Sequence, residues 1–270
     1  MNLLREYFPA RRTESRMNGV GDVAAARERY LRERPANLRF LLEKRFAWIN
    51  AWLPQDARLI VEIGCGMGVT REFIGHPALK LSDFKAAPWV DVEVDALAMP
   101  FEAGSVDALI IVNVLHHLAY PARFFREAIR VLRPGGRLLI RDATASLALR
   151  LILRVMRHEG WSFLKDPLDP SAPCNDPADP WSGNNAISDL LFDDPARFEA
   201  AFPGLRVERQ WFEESLLFPL SGGVNASAPT VQLPRAALRA IDAFDSLLVR
   251  LLPKVFAFQR NVVITKEPLP

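Results

Sequence analysis

Two kinds of apolar pattern alternate along the chain. Residues 22–53 carry apolar side chains spaced as one face of a helix requires: Leu38, Leu41, Leu42, Phe46, Ile49 and Leu53. Pro54 ends this pattern, and residues 58–63 form an apolar, β-branched run of the kind seen in a parallel strand that is covered on both faces. The sequence therefore predicts a helix followed by a first strand.

The alternation continues beyond this strand. We expect a helix after Gly68, strands at 79–83, 90–94 and 108–115, a helix at 121–132 and a strand at 137–141. Strands that alternate with helices form a doubly wound parallel sheet with helices on both faces. Two late apolar runs, 205–212 and 255–265, flank an amphipathic helix at 235–252 and are expected to return the chain to the same sheet as closing strands.

The pattern changes after Asp142. A helical run at 147–157 places Arg150, Arg154 and Arg157 on one basic face. We interpret this face as the solvated side of a lid helix, and contact with an anionic membrane or with an acidic glycan is the alternative. The stretch 166–180 that follows is rich in proline and is predicted to be a loop or lid.

Composition narrows the class of protein. The 270 residues are 50% hydrophobic and 24% charged with a net charge of +2, which is typical of a globular protein and requires no nucleic-acid partner. The two cysteines cannot form a disulfide framework, and no spacing of Cys and His indicates a metal site. The start of the chain lacks a secretory signal, and no apolar run reaches the roughly 20 residues of a spanning helix. We therefore expect a cytoplasmic protein.

The most informative motif is the glycine-rich sequence Gly64-Cys65-Gly66-Met67-Gly68, which directly follows the first predicted strand. Such a turn places backbone N–H groups at the start of a helix, where an anionic group is favoured, and side chains other than hydrogen would block the approach. Val69 stands where the dinucleotide fingerprint has its last glycine, which disfavours a nicotinamide dinucleotide as the ligand. That dinucleotide stays the alternative to a ligand that carries a carboxylate.

Three further polar signals follow in order at the ends of later strands. Asp83 ends the second strand about 20 residues after the glycines, where an acidic side chain can accept hydrogen bonds from ribose hydroxyls. Asp95-Ala96 follows the third strand, and Asn113 lies near the end of the fourth. The ordered set is more specific than any one of these features.

From residue 59 to residue 142 the sequence resembles the class I S-adenosylmethionine-dependent methyltransferases, particularly the type 11 group. The matching motifs lie at 61–68, 95–101, 113–118 and 130–136. The resemblance implies an α/β fold with a seven-stranded, doubly wound Rossmann-like sheet, mostly parallel with an antiparallel last strand. It also implies S-adenosylmethionine as the cofactor, held by Glu62, Gly64, Cys65, Gly66, Gly68, Asp83, Asp95, Ala96 and Asn113.

The same resemblance implies which of these residues contacts which part of S-adenosylmethionine. The glycine turn is expected to contact the methionine moiety, Asp83 the ribose, and Asp95 with Ala96 the adenine edge. Residues 1–56 are then an N-terminal helical segment, residues 57–145 the cofactor-binding core, and residues 146–270 a lid that covers the acceptor and includes the closing strands.

Candidate catalytic residues lie at the carboxyl edge of the predicted sheet, where open α/β sheets bind ligands. His116, His117 and Asp142 are the candidates for a general base that would act on an acceptor hydroxyl. A buried, hydrogen-bonded histidine is the purely structural interpretation of the same pair. Cys65, between two glycines and without an adjacent base, is interpreted as a packing residue and not as a nucleophile.

We expect O-methylation of a sugar, glycolipid or other small molecule, with a small-molecule or lipid-linked glycan as the acceptor. A looser similarity of 183–187 and 220–224 to methyltransferases of bacterial polysaccharide or glycolipid biosynthesis favours this acceptor class, with the amides of Asn184 or Asn185 available to its hydroxyls. The alternatives are a non-catalytic S-adenosylmethionine-binding regulator and an N- or C-methyltransferase of a small metabolite.

Overall fold

The computed structural model describes residues 5–9, 22–157, 159–224 and 228–268. The strands within these ranges are β1 Glu6–Tyr7, β2 Ile60–Ile63, β3 Leu79–Asp83, β4 Val92–Glu93, β5 Val106–Val112, β6 Leu132–Ala143, β7 Trp161–Ser162, β8 Leu205–Glu213 and β9 Gln259–Lys266. The helices are α1 Val23–Glu33, α2 Ala36–Trp52, α3 Pro121–Val131, α4 Leu147–Met156, α5 Ile187–Phe192, α6 Pro195–Ala201, α7 Leu217–Leu220, α8 Arg235–Leu251 and α9 Pro253–Phe256. Single 3₁₀ turns occupy Thr70–Glu72 and Leu115–His117.

Seven of these strands form one sheet in the order β4-β3-β2-β5-β6-β9-β8. All neighbours from β4 to β6 pair in parallel, whereas β9 is antiparallel to both β6 and β8. The expected doubly wound Rossmann-like sheet with an antiparallel last strand is therefore confirmed. The short strands β1 and β7 pair with each other outside it.

The centre of the sheet is buried on both faces, which explains why its central strands are mostly apolar. In β5, Leu109 and Ile111 pack into the cluster that contains Phe125 of α3. The alternate residues of the same strand, Ala108 and Ile110, pack into the cluster on the other face, which contains α2. Successive side chains of a strand point to opposite faces, so both layers of helices are anchored on this strand.

Two predicted helices differ from the structure. The helix expected over 22–53 is broken into α1 and α2, because Arg34 caps α1 in the left-handed conformation (φ 46°) and Pro35 cannot continue a helix. The helix expected after Gly68 is wrong: only the 3₁₀ turn Thr70–Glu72 forms there, since Gly75 and Pro77 interrupt the short connection to β3.

Strand boundaries differ as well. β6 begins at Leu132 and therefore includes the segment 133–136 that was expected to be a turn. The last strand begins at Gln259 and not at 255, because the helical turn α9 precedes it. Both differences lie at element ends, where regular pairing competes with local turn preferences.

Of the three arginines expected on a solvated basic face, Arg154 and Arg157 are exposed, whereas Arg150 turns toward the protein. The guanidinium of Arg150 lies 5.9 Å from the ring of Trp161 and 5.8 Å from that of Phe163. The solvent side of the helix also carries apolar side chains, with Leu151 66% and Val155 75% exposed. Among the described residues, no helix is both long and apolar enough to cross a membrane.

Candidate functional site

The parallel strands end at one edge of the sheet, and the predicted site residues lie at or just after these strand ends. Gly64 follows β2, Asp83 is the last residue of β3, and Asn113 follows β5. Asp142 is the penultimate residue of β6. The topology of the sheet, rather than proximity in the sequence, therefore brings these residues together.

The glycine turn is shaped by close neighbours on two sides. All three glycines have positive φ, from 50° to 70°. A Cβ at Gly64 would lie 2.5 Å from a methyl group of Val114, and one at Gly68 would lie 2.1 Å from the indole of Trp89. At Gly66 the nearest atom would be 3.9 Å away, on Val23. The turn thus requires glycine for its conformation, and it leaves room only beside Gly66.

Three of the backbone N–H groups of this turn are bonded within the protein, contrary to expectation. Cys65 N–H donates to Ser82 O at 2.8 Å and Gly68 N–H to Cys65 O at 2.8 Å. Gly66 N–H donates to Asp83 Oδ2 at 3.0 Å. The helix N-terminus that was expected to favour an anion is therefore absent, because only a 3₁₀ turn forms and the glycine turn uses these three donors internally.

Arg27 of α1 and Trp89 cover the glycine turn, and sequence reasoning missed both. Trp89 Nε1–H donates to Gly66 O at 2.8 Å, and Arg27 Nη1 donates to Gly68 O at 3.1 Å and to Met67 O. The guanidinium of Arg27 lies 4.8 Å from the indole centroid. No spacing in the sequence signals these contacts, since Arg27 lies about forty residues before the turn.

Two carboxyl groups lie beside the turn, the half-buried Asp83 and the buried Glu62. Asp83 Oδ1 also accepts from Phe84 N–H at 2.9 Å, and burial raises the pKa of Asp83 despite these donors. Glu62 Oε1 accepts from Thr70 Oγ1 at 2.8 Å, whereas Oε2 has no partner among the described residues. Burial raises the pKa of Glu62 to about 7. The buried, unpaired Oε2 of Glu62 could therefore accept a hydrogen bond from a bound ligand.

The remaining predicted cofactor residues line the same edge. Asp95 Oδ1 accepts from Leu97 N–H at 2.8 Å, which holds a tight turn with Ala96 buried inside it. Asn113 adopts φ 54° and donates its N–H to Arg141 O at 2.8 Å. Its side-chain Oδ1 is buried without a partner among the described residues. Burial raises the pKa of Cys65 strongly, as expected for a packing residue that stays protonated.

Asp142 holds His116 from inside the sheet. It is fully buried, and its carboxylate accepts from Leu115 N–H at 2.8 Å, Ala143 N–H at 2.9 Å and His116 Nδ1 at 2.7 Å. Burial alone would lower the pKa of His116, but Asp142 and Glu159 raise it to about 9. Asp142 therefore orients His116 and is not itself placed as a base.

His117 lies against His116, and the Nε2 atoms of both rings lie near the carboxylate of Glu159. The two ring centroids are 4.1 Å apart, and His117 Nδ1 donates to Ser182 O at 3.1 Å. Burial and the neighbouring His116 lower the pKa of His117 to about 4. Glu159 lies 3.6 Å from His116 Nε2 and 3.9 Å from His117 Nε2. Glu159, which no sequence pattern indicated, thus completes a cluster with both histidines.

The C-terminal half fixes this cluster through its loops. Asn184 N–H donates to His116 O at 2.8 Å, and Asn175 Nδ2 donates to the same oxygen at 2.7 Å. Asn185 Nδ2 donates to Glu159 at 3.0 Å. The side chain of Asn184 is fully buried and bonds to Ser162 N–H at 2.8 Å, so its expected availability to an acceptor is wrong. Its amide supports the loop instead.

Comparisons with known proteins show what the core of this chain is similar to. A family model described as a methyltransferase domain, of the type 11 group, matches residues 61–140. The tRNA (carboxymethyluridine(34)-5-O)-methyltransferase alkbh8 of Xenopus tropicalis is 39% identical over 101 residues, which cover 33% of this chain and 16% of that protein. The phthiotriol/phenolphthiotriol dimycocerosates methyltransferase 1 of Mycobacterium ulcerans is 34% identical over 107 residues, 34% of this chain and 40% of that protein.

The chain spans less than half of the length of each of these two curated relatives. A similar fold extends further: the crystal structure of a SAM-dependent methyltransferase from Archaeoglobus fulgidus matches 85% of this chain and 94% of its own, with a TM-score of 0.51 and 16% identity. The sheet order, the glycine turn with its strand-end residues and the family match lead to the same result. This chain contains a class I S-adenosylmethionine-dependent methyltransferase domain of the type 11 group, with S-adenosylmethionine as the cofactor of that domain.

Proposed function

We propose that this protein transfers the methyl group of S-adenosylmethionine to an oxygen of a sugar, glycolipid or other small-molecule acceptor. The observation that carries the proposal is that the glycine turn, the expected cofactor side of the site, lies next to the histidine pair, the expected acceptor side. Val114 packs on Gly64 of the glycine turn, and the histidine pair follows two residues later along the chain. A methyl donor on the turn and an acceptor at the histidines would then be neighbours.

The cofactor pocket would be formed by the turn, its strand-end residues and α1. Asp83 would accept from the ribose hydroxyls, and the Asp95-Ala96 turn would contact the adenine edge. The unpaired oxygens of Glu62 and Asn113 are acceptors suited to the ammonium group of the methionine moiety. Because three of the turn's own N–H groups are bonded within the protein, Arg27 is the group suited to the methionine carboxylate.

Methyl transfer needs alignment and exclusion of water more than a covalent intermediate. Bound S-adenosylmethionine supplies an electrophilic methyl group on a sulfonium. The residues of the cluster would receive the acceptor: His116 is held by Asp142, and His117 keeps a neutral ring with its Nε2 lone pair directed away from Ser182. The loops that carry Asn175 and Asn185 hydrogen-bond to members of the cluster.

The names of the relatives support an oxygen acceptor without fixing its class. The Xenopus relative is named for transfer to the 5-oxygen of a tRNA nucleoside, and the Mycobacterium relative for phthiotriol and phenolphthiotriol dimycocerosates. For this chain we favour the small or lipid-linked acceptor, because the net charge is only +2 and nucleic-acid binding depends on concentrated positive charge.

The test is transfer of tritiated methyl from labelled S-adenosylmethionine into fractionated cell extract. We expect label in the small-molecule or lipid fraction with the wild type and none with Gly66→Val, which fills the only open side of the turn. Label in tRNA would overturn the acceptor class. Binding of S-adenosylhomocysteine without transfer to any fraction would favour the non-catalytic regulator.

A further inference from the structure

The cluster of His116, His117 and Glu159 has the composition of a metal site. One ligand atom from each residue lies within 4.8 Å of the other two. The carboxylate of Glu159 is 3.6 Å from His116 Nε2 and 3.9 Å from His117 Nε2. Two ligands of a tetrahedral zinc ion, each at about 2.1 Å, lie about 3.4 Å apart. The observed separations are therefore close to those of a metal-ligand set.

The second nitrogen of each ring is already bonded in a way that fixes its orientation. His116 Nδ1 donates to the buried carboxylate of Asp142 at 2.7 Å, and His117 Nδ1 donates to Ser182 O at 3.1 Å. A carbonyl oxygen only accepts, so the proton of a neutral His117 lies on Nδ1 and its Nε2 carries a lone pair. Metal-binding histidines are usually held by this kind of outer partner.

The carboxylate is also held in place. Asn185 Nδ2 donates to Glu159 Oε2 at 3.0 Å. A Cβ at Gly183 would lie 2.9 Å from Glu159 Cγ and 3.3 Å from the ring of His116. Glycine at this position therefore lets the loop pass close to the cluster without displacing the carboxylate or the ring.

We propose that His116, His117 and Glu159 bind a divalent first-row transition-metal ion, with zinc as the representative ion. Two imidazoles and one carboxylate form a three-residue set that leaves coordination positions open, as in catalytic zinc sites. Magnesium is excluded as the preferred ion because it favours oxygen ligands.

The role of this ion rests on the proposed function. The acceptor hydroxyl binds at an open position of the metal, which lowers the pKa of that hydroxyl, and its proton leaves to solvent. The acceptor oxygen then forms a bond to the methyl carbon while the carbon–sulfur bond breaks. The electron pair of that bond stays on sulfur and gives S-adenosylhomocysteine. His117 is a ligand in this scheme, and the metal replaces the imidazole as the group that activates the acceptor.

Metal binding is measured on the full-length protein independently of methyl transfer. We would determine the metal content of the purified protein by mass spectrometry and titrate chelator-treated protein with Zn²⁺ by calorimetry. We expect one ion per chain, and a dissociation constant raised by about 10- to 100-fold or more in Glu159→Gln and in His117→Gln. The control Glu102→Gln, at an exposed glutamate, should bind Zn²⁺ as the wild type does.

Several results would overturn the proposal. Wild-type protein that takes up no Zn²⁺, Glu159→Gln protein that binds it unchanged, or a preference for Mg²⁺ over Zn²⁺ would each contradict the ligand set. Thermal unfolding and S-adenosylhomocysteine binding of the variants verify that they are folded. Stoichiometric zinc binding without methyl transfer would keep the metal site and reject only the proposed function, so the two can fail separately.

Discussion

Replacement of Asp83 by alanine tests the cofactor pocket most directly, because one carboxylate serves two purposes there. Its Oδ2 accepts from Gly66 N–H at 3.0 Å, and its Oδ1 accepts from Phe84 N–H at 2.9 Å. Its remaining lone pairs are the proposed acceptors for the ribose hydroxyls. Alanine would therefore remove the ribose contact and also release the N–H that fixes the glycine turn.

The expected loss follows from the number and kind of bonds. Hydrogen bonds to a charged group contribute about 1.5–3 kcal/mol each, partly offset when water replaces the lost partner. We expect Asp83→Ala to weaken binding of S-adenosylhomocysteine by about 1–3 kcal/mol, which is about 5- to 150-fold in Kd. Asp83→Asn retains an acceptor oxygen without the charge, and should lose less.

Isothermal titration calorimetry with S-adenosylhomocysteine measures this loss, with thermal denaturation to verify folding. Asp56→Ala, at an exposed aspartate before the first strand of the sheet, is the matched control and should bind normally. A folded Asp83→Ala protein with wild-type affinity would refute the reasoning. It would mean that another residue holds the ribose and that the turn keeps its shape without the bond to Gly66.

The remaining predictions concern the lid, the turn and the core. Arg27→Ala should weaken S-adenosylhomocysteine binding in the same titration by about 1–3 kcal/mol, with partial recovery in Arg27→Lys. Deletion of 166–180, which removes the Asn175 contact to His116, should leave that affinity nearly intact and lower methyl transfer sharply in the tritium assay. Burial would raise the pKa of Glu214, but Arg141 and Arg45 lower it to about 2 from an ordinary value of 4.5. Its ionised form therefore contributes about 3 kcal/mol above about pH 4.5, lost as the pH falls toward 2. Urea unfolding should accordingly show Glu214→Gln less stable than the wild type at pH 7, with the difference shrinking near pH 3.

The sheet was predictable because its strands carry the signal within themselves. Residues 108–112 of β5 form an apolar run between the two faces of the sheet, although the observed strand is Val106–Val112 and not 108–115; β3 was predicted with its observed limits. The motif did not predict that a helix would be absent after Gly68, because this absence depends on the short connection between the turn and β3. The motif indicated a helix that the length of the connection excludes.

The two halves of the site differ in the same way. Residues that follow parallel strands, such as Asp83 and Asn113, meet at one edge whatever the loops do, so strand order alone located them. Arg27, Trp89 and Glu159 reach the site from a helix and from loops. Their positions in the sequence follow no periodic pattern that would indicate a role in the site. Their positions depend on tertiary packing that no local pattern encodes.

Some site residues are held by the sheet, and others are held by loops of the C-terminal half. Val112 pairs with Arg141 across the sheet, so the residues one step further, Asn113 and Asp142, are fixed relative to each other by strand register. His116 is bonded to Asp142 and is therefore carried by the sheet. Glu159 and the Ser182 oxygen that orients His117 belong to loops of the C-terminal half. Movement of these loops would rearrange the acceptor side while leaving the cofactor side intact, so substitutions in the loops should act on acceptor affinity before they act on cofactor affinity.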